Sequence, residues 1–259
     1  MQPKIAVILF PGTNCENESA YAAESSGMQA EIVRWNSKKP LSDYGGFILP
    51  GGFSYEDRIR AGVIAANLPV MQEIKAEAEK GKPILGICNG AQILIETGIV
   101  PGLHKRIDMA LAPNINPFIS GYYCNWVYIK SIGSSPFNSL YQEGELIQIP
   151  IAHGEGRFVT KGIFLLEELK KNNQIAFQYC DKNGKEIKEF PVNPNGAIYN
   201  VAAISNPKGN VMAIMPHPER ASFKRQLVEK DYNSFEEAEA KTNALKIFEG
   251  MKKYMGFRL

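Results

Sequence analysis

Gly86-Ile87-Cys88-Asn89-Gly90 carries the strongest chemical signal in the chain. It has the form G-x-C-x-G, ends the apolar run Pro83-Ile84-Leu85-Gly86-Ile87, and precedes a helical pattern over 92–97. That is the layout of a nucleophile elbow with cysteine in place of serine. A strand that turns sharply into a helix crowds its own backbone, and flanking glycines relieve the crowding. The turn lifts the sulfur above the carboxyl ends of the strands, where open α/β sheets place their ligands. The helix N-terminus favours negative charge at the sulfur. The backbone N–H of Asn89 is placed where an oxyanion would form. The competing reading is a tight turn whose cysteine is merely small. Cys15, in Pro11-Gly12-Thr13-Asn14-Cys15, also lies between a strand and a helix, but it lacks the tight glycine frame and ranks below Cys88. Cys124 and Cys180 fall in extended, apolar or aromatic stretches, where a cysteine is an inert, small buried hydrophobe. No C-x-x-C pair occurs, so neither a zinc ribbon nor any other metal site is expected. A reducing compartment argues against disulfides.

A sulfur nucleophile attacking an amide needs an imidazole to protonate the departing nitrogen. The chain has three histidines: His104, His153 and His217. His217 sits in Met215-Pro216-His217-Pro218-Glu219-Arg220, just after an apolar strand. Pro218 favours an extended His217, and Glu219, two residues on, can orient the ring as a third triad member. His153 has the same spacing to a glutamate, in His153-Gly154-Glu155-Gly156. Spacing alone does not choose between them. Rigidity favours His217, because two glycines loosen the other segment. His104 is expected to be structural.

Two further segments fit an amide-hydrolysing cleft. Pro50-Gly51-Gly52-Phe53-Ser54 closes a strand with glycines that let a backbone amide approach a ligand, or that simply end the strand. Gln92 lies one helical turn after Cys88, where its amide can face a substrate. No phosphate-binding loop and no dinucleotide fingerprint is present.

The elements that must position these residues alternate in the N-terminal half. Strands are expected at 4–10, 30–35, 46–49 and 83–87. Helices are expected at 16–26, at 57–80 with a break near Pro69 and a cap at Gly81, and from 92. This alternation implies an α/β fold: a mostly parallel sheet with helices on both faces. The second half reads as richer in strands, near 122–129, 145–152, 174–180, 201–205 and 211–215, with turn signals such as Asn183-Gly184 and Asn195-Gly196 between them, and an added antiparallel part is expected beside the α/β layout. A helix near 163–171 interrupts them. A final helix is expected over 235–255, with Leu245, Phe248, Met251 and Met255 as a core stripe. Residues 1–259 are expected to form a single domain, without repeat or linker.

Of the 259 residues, 44% are hydrophobic and 22% charged, the balance of an ordinary globular protein. The net charge of +2, from 29 basic and 27 acidic side chains, excludes a nucleic-acid footprint. No apolar run reaches the roughly 18 residues that span a bilayer, so no membrane association is expected. The N-terminus lacks the layout of a signal peptide, so a cytoplasmic location is expected.

Cys88 in its glycine frame with His217-Pro218-Glu219 resembles the triad of class I glutamine amidotransferases, a family with a flavodoxin-like fold. Within that family, six ordered motifs resemble the glutaminase subunits of purine biosynthesis. They are Phe10-Pro11-Gly12-Thr13-Asn14-Cys15, Gly51-Gly52-Phe53-Ser54-Tyr55, Arg60-Ala61-Gly62, Gly86-Ile87-Cys88-Asn89-Gly90, Ile151-Ala152-His153-Gly154-Glu155-Gly156 and Met215-Pro216-His217-Pro218-Glu219-Arg220. The resemblance implies Cys88 as nucleophile, His217 as base and Glu219 as its orienter. It implies an oxyanion hole from the backbone of Gly52 and Asn89, and substrate contacts from Phe53, Gln92, His153, Gly154 and Glu155. It implies L-glutamine as substrate, no cofactor in this subunit, and two partners. One is a synthetase subunit that uses ATP and magnesium to make formylglycinamidine ribonucleotide; the other is a small bridging subunit. The chain departs from the family pattern at Glu56, where glycine is usual, at Arg58, where an aromatic is usual, and at Ala91, where phenylalanine is usual. Two readings compete: a free-standing γ-glutamyl hydrolase on the same fold, and a non-catalytic scaffold that regulates a partner.

Overall fold

The computed structural model describes residues 2–104, 106–119, 121–229 and 232–259. The first half runs β1 (Lys4–Leu9), α1 (Glu16–Ser25), β2 (Gln29–Arg34), β3 (Gly46–Leu49), α2 (Val63–Ala66), α3 (Pro69–Glu79), β4 (Ile84–Ile87) and α4 (Asn89–Glu96). The second runs β5 (Met109–Ala112), β6 (Tyr123–Ser131), β7 (Leu146–His153), β8 (Arg157–Thr160), α5 (Ile163–Lys171), β9 (Ile175–Cys180), β10 (Val201–Ser205), β11 (Val211–Ile214), α6 (Phe235–Ala238) and α7 (Lys246–Tyr254).

One nine-stranded sheet has the order β2-β1-β3-β4-β11-β10-β9-β6-β7. Strands β2, β1, β3, β4 and β11 pair in parallel, and the remaining pairs are antiparallel. The parallel half is the α/β fold expected from the alternation, and β6, β7, β9 and β10 are the added antiparallel part. Strands β3, β4 and β11 are buried at every residue, as strands covered on both faces must be. The strand order reverses between β1 and β3, so right-handed crossovers send α1 and α3 to opposite faces. The carboxyl ends of β1, β3, β4 and β11, four neighbours, thus converge on one rim.

The structure corrects the sequence reading in four places. The helix expected over 57–80 begins only at Val63. Residues Tyr55, Glu56 and Asp57 take left-handed backbone (φ 55, 59 and 52), which no helix allows. Gly62, at φ 80, lies so close to the backbone of Gln92 and Ile93 that the chain can turn helical only after it. The helix expected over 235–255 is two pieces, α6 and α7. Between them the chain pairs with 222–224: Lys224 N–H donates to Ala240 O, and Thr242 N–H to Ser222 O. The core stripe survives the break, for Leu245, Phe248 and Met251 are buried and Met255 packs against the core. Strands β5 and β8, absent from the sequence reading, pair as a separate antiparallel ribbon. Their four-residue lengths carry too little alternation to register. Cys124 is exposed rather than buried.

The elbow also sets a stability expectation. A Cβ on Gly90 would stand 1.9 Å from the carbonyl oxygen of Leu49, on rigid strand backbone. Alanine ordinarily favours a helix over glycine by about 1 kcal/mol. Here the overpacking cost, about 1–3 kcal/mol, exceeds that gain. Gly90→Ala should therefore lower the urea midpoint, and an unchanged midpoint would show that α4 can slide on β3.

Candidate active site

Cys88 closes β4 with φ 50 and ψ −104, a conformation costly for any residue with a Cβ. Its backbone is held on both sides: Cys88 N–H donates to Ile214 O at 2.8 Å, and Gln92 N–H to Cys88 O at 3.0 Å. The flanking glycines are needed because they face each other. A Cβ on Gly86 would lie 2.6 Å from Gly90 O. The thiol is buried and donates to Ala152 O at 3.5 Å, where the end of β7 folds back across the rim.

His217 follows β11, and its N–H donates to Pro150 O at 2.9 Å, again on β7. Its Nδ1–H donates to Glu219 Oε1 at 2.6 Å, and both side chains are almost wholly buried, at 3% and 0% exposure. Burial alone would lower the His217 pKa. The Glu219 carboxylate, with the Cys88 and Cys15 sulfurs, overrides it and holds the imidazole well above its ordinary value. Nε2 is buried with no hydrogen-bond partner among the described residues, as is the Nε2 of His153, which leaves each open to a bound group.

Cys15 is closer to this chemistry than its sequence rank implied. Its Sγ and the donor atoms of His217 and Glu219 lie within 4.8 Å of one another. The same sulfur would be 3.3 Å from a Cβ on Gly51, and the His217 ring 2.7 Å from it, so only glycine fits there. Burial pushes the Cys15 thiol up, despite the neighbouring imidazole. The three groups are of metal-ligating types, but the His217–Glu219 hydrogen bond already engages two of them.

The remaining predicted site residues line two walls. On one, Thr13 bridges Gly52, Phe53 N–H donates to Gly12 O, and Ser54 N–H donates to the Asn89 side-chain Oδ1 at 3.1 Å. Asn89 is the first residue of α4, where an amide has no partner within the helix. On the other wall, Gln92 Nε2 donates to Glu155 O at 2.8 Å. His153 is fully buried, and its Nδ1–H donates to Asn114 Oδ1. Burial and the charge of His217 push its pKa down to about 3, so it stays neutral. Gly154 O accepts from Asn114 N–H at 2.8 Å, which fixes the turn. His104 lies elsewhere, half exposed beside Asp108.

One contributor, Tyr122, had no sequence signal of its own. Tyr122 packs against Phe53 with ring centroids 5.9 Å apart and planes tilted by 37°, and burial pushes its hydroxyl pKa up. Arg60 donates to Glu96 at 2.7 Å, tying the loop after β3 to the far end of α4. The two departures from the family pattern pair with each other: Arg58 donates to Glu56 at 2.7 Å. Glu56 has φ 59, which explains why glycine is the easier residue there. Ala91 is fully buried in the first turn of α4.

A parallel sheet with a cysteine elbow and a buried His–Glu pair on one rim defines a triad-type glutamine amidotransferase. Residues 2–255 match the family described as the CobB/CobQ-like glutamine amidotransferase domain. The chain is 46% identical to the phosphoribosylformylglycinamidine synthase subunit PurQ of Methanothrix thermoacetophila, over 97% of this chain and 98% of that one. It is 46% identical to the subunit of the same name from Pyrococcus horikoshii, over 85% and 89%. Its fold matches a chain in the structure of PurLQS from Thermotoga maritima with a TM-score of 0.76 at 33% identity, over 98% and 99% of the two chains. The chain belongs to the family of phosphoribosylformylglycinamidine synthase subunits PurQ.

Proposed function

We propose that Cys88, His217 and Glu219 hydrolyse L-glutamine to glutamate and ammonia, and that the ammonia serves a synthetase subunit making formylglycinamidine ribonucleotide. The observation that carries this reading is the left-handed Cys88 at the start of α4 beside a buried His217–Glu219 hydrogen bond of 2.6 Å. The Cys88 sulfur attacks the side-chain amide carbon, and the oxyanion rests on the N–H groups of Gly52 and Asn89. His217 delivers a proton to the departing nitrogen, which leaves as ammonia with its electron pair. His217 then removes a proton from water as it attacks the glutamyl thioester, releasing glutamate and restoring the thiol. Glu219 holds the ring's Nδ1–H throughout. Phe53, Gln92, His153, Gly154 and Glu155 shape the glutamine site, with Tyr122 covering it.

Residues 1–259 act as one glutaminase domain in the cytoplasm, and among the described residues no helix is long and apolar enough to cross a membrane. This subunit needs no cofactor or metal for its half of the reaction. ATP and magnesium belong to the synthetase, which converts formylglycinamide ribonucleotide, and a small third subunit bridges the two.

The test is covalent labelling. A glutamine-analogue electrophile, read by peptide mass spectrometry, should modify Cys88 and spare Cys15, Cys124 and Cys180. The comparison is strict, since Cys15 shares the imidazole and Cys124 is exposed. Equal labelling of Cys15 sinks the assignment.

A further inference from the structure

A second thiol stands beside the catalytic base and takes no part in the reaction. Cys15, 4% exposed, is fixed by its N–H on Gly51 O at 3.2 Å and by Ser19 N–H on its own carbonyl at 3.0 Å. Its sulfur and the donor atoms of His217 and Glu219 lie within 4.8 Å of one another, and all three residues are buried. A Cβ on Gly51 would stand 3.3 Å from the Cys15 sulfur and 3.4 Å from His217 Nδ1, so the glycine keeps the space beside both atoms open. The hydrogen bond from His217 uses Glu219 Oε1. Glu219 Oε2 is buried with no hydrogen-bond partner among the described residues, a spare acceptor on a fully buried carboxylate. The exposed Arg220 lends some positive charge to Cys15, but among the described residues it forms no ion pair with Glu219.

Thiolate, imidazole and carboxylate are ligands that a borderline-soft divalent cation such as Zn²⁺ accepts together. Bond lengths of about 2.3 Å to sulfur and about 2.0 Å to nitrogen place those two ligands about 3.5 Å apart around a tetrahedral zinc. Donors already within 4.8 Å need shifts only on the order of 1 Å to meet that spacing.

We propose that Cys15, His217 and Glu219 form an inhibitory site for such a cation, and that its occupation switches the glutaminase off. The inhibition rests on the reading of His217 as the base. The cation replaces two protons, one on the Cys15 sulfur and one on His217 Nδ1, and both pass to solvent. A ring coordinated through Nδ1 keeps at most one proton, on Nε2, and can no longer form the imidazolium that protonates the leaving nitrogen. Glu219 turns from the ring proton to the metal, with its spare Oε2 available. Cys88 is not a ligand.

The test has a binding arm and a kinetic arm, both with Cys124→Ser, because that thiol is exposed and would add its own signal. In the first, the full chain is titrated with Cd²⁺ and the ultraviolet sulfur-to-metal charge-transfer band is followed. The band should saturate at about one equivalent, persist in Cys88→Ala and vanish in Cys15→Ala. In the second, the assembled complex is titrated with Zn²⁺ and glutamate formation is measured against each variant's own zinc-free rate. Cys15→Ala should raise the half-inhibiting concentration roughly a hundredfold. A chelator should restore the wild-type rate, and ammonium-dependent product formation should continue under zinc. Cys15→Ser, which keeps the volume but not the soft ligand, should behave like Cys15→Ala and serves if the alanine variant fails to fold. A band lost in Cys88→Ala but kept in Cys15→Ala would put the metal on the nucleophile and overturn the proposal. Undiminished zinc sensitivity in both Cys15 variants would also overturn it. A complex that forms no glutamate even without zinc, in a chain that still shows the Cys15-dependent band, would instead defeat the glutaminase reading and leave the metal site standing.

Discussion

A complex assembled with Cys88→Ala should lose glutamine-dependent amidine formation by a factor on the order of a thousand or more, while its ammonium-dependent reaction continues. The substitution removes one heavy atom, which donates to Ala152 O at 3.5 Å. The backbone bonds that hold the elbow, to Ile214 O and from Gln92 N–H, do not involve the side chain and remain. The strained φ of 50 is no worse for alanine than for cysteine. Fold and docking surface should therefore survive, and the loss reports chemistry alone. Ammonium salts should restore product, more effectively at raised pH, where a larger fraction is unprotonated ammonia. The measurement is product formed with glutamine or with an ammonium salt as nitrogen donor. Loss of both activities in a complex that still assembles would give Cys88 a part in the synthetase step. Retained glutamine-dependent activity would remove it as the nucleophile.

Most of the parallel half of the fold was legible because β1, β3, β4 and β11 are largely continuous apolar runs. Ile84–Ile87 could hardly be anything but a buried strand, and the G-x-C-x-G frame follows from the crowding at its end. The loop after β3 was not legible. Its turn depends on Tyr55, Glu56 and Asp57 adopting left-handed backbone through tertiary contacts such as Tyr55 N–H to Pro11 O. Local propensity carries no record of a partner 44 residues away in sequence (from 55 − 11). The same holds for Asp57, which sequence reading placed inside a helix, and for Cys15, which it ranked by its local frame. Cys15 reaches His217 only because β1 lies two strands from β4 and three from β11 with their carboxyl ends aligned. The division of the last helix was hidden for a similar reason. The Leu245, Phe248, Met251 stripe is truly helical, but what stops it upstream is pairing with 222–224.

The two histidines that spacing could not separate should behave differently under substitution. His217→Ala should lower glutaminase kcat roughly a hundredfold or more, the scale of a lost acid–base group. His153→Ala should act mainly on the KM for glutamine. The structure gives the physical reason. His153 is pushed down to about 3 and spends its Nδ1–H on Asn114, so it has no proton to deliver near neutral pH. His217, although burial alone would lower it, is pushed upward by Glu219 and the Cys88 sulfur. A raised pKa means the imidazolium persists below that value and is lost only as pH rises through it, which suits a group that must protonate a leaving nitrogen. His217→Ala also strands the Glu219 carboxylate, at 0% exposure, without its partner. Breaking a buried pair costs about 3–5 kcal/mol, so turnover must be expressed per folded molecule, with the thermal midpoint measured alongside. If His153→Ala abolishes kcat in folded protein while His217→Ala raises only KM, the roles are exchanged, and the end of β7 rather than the turn after β11 supplies the base.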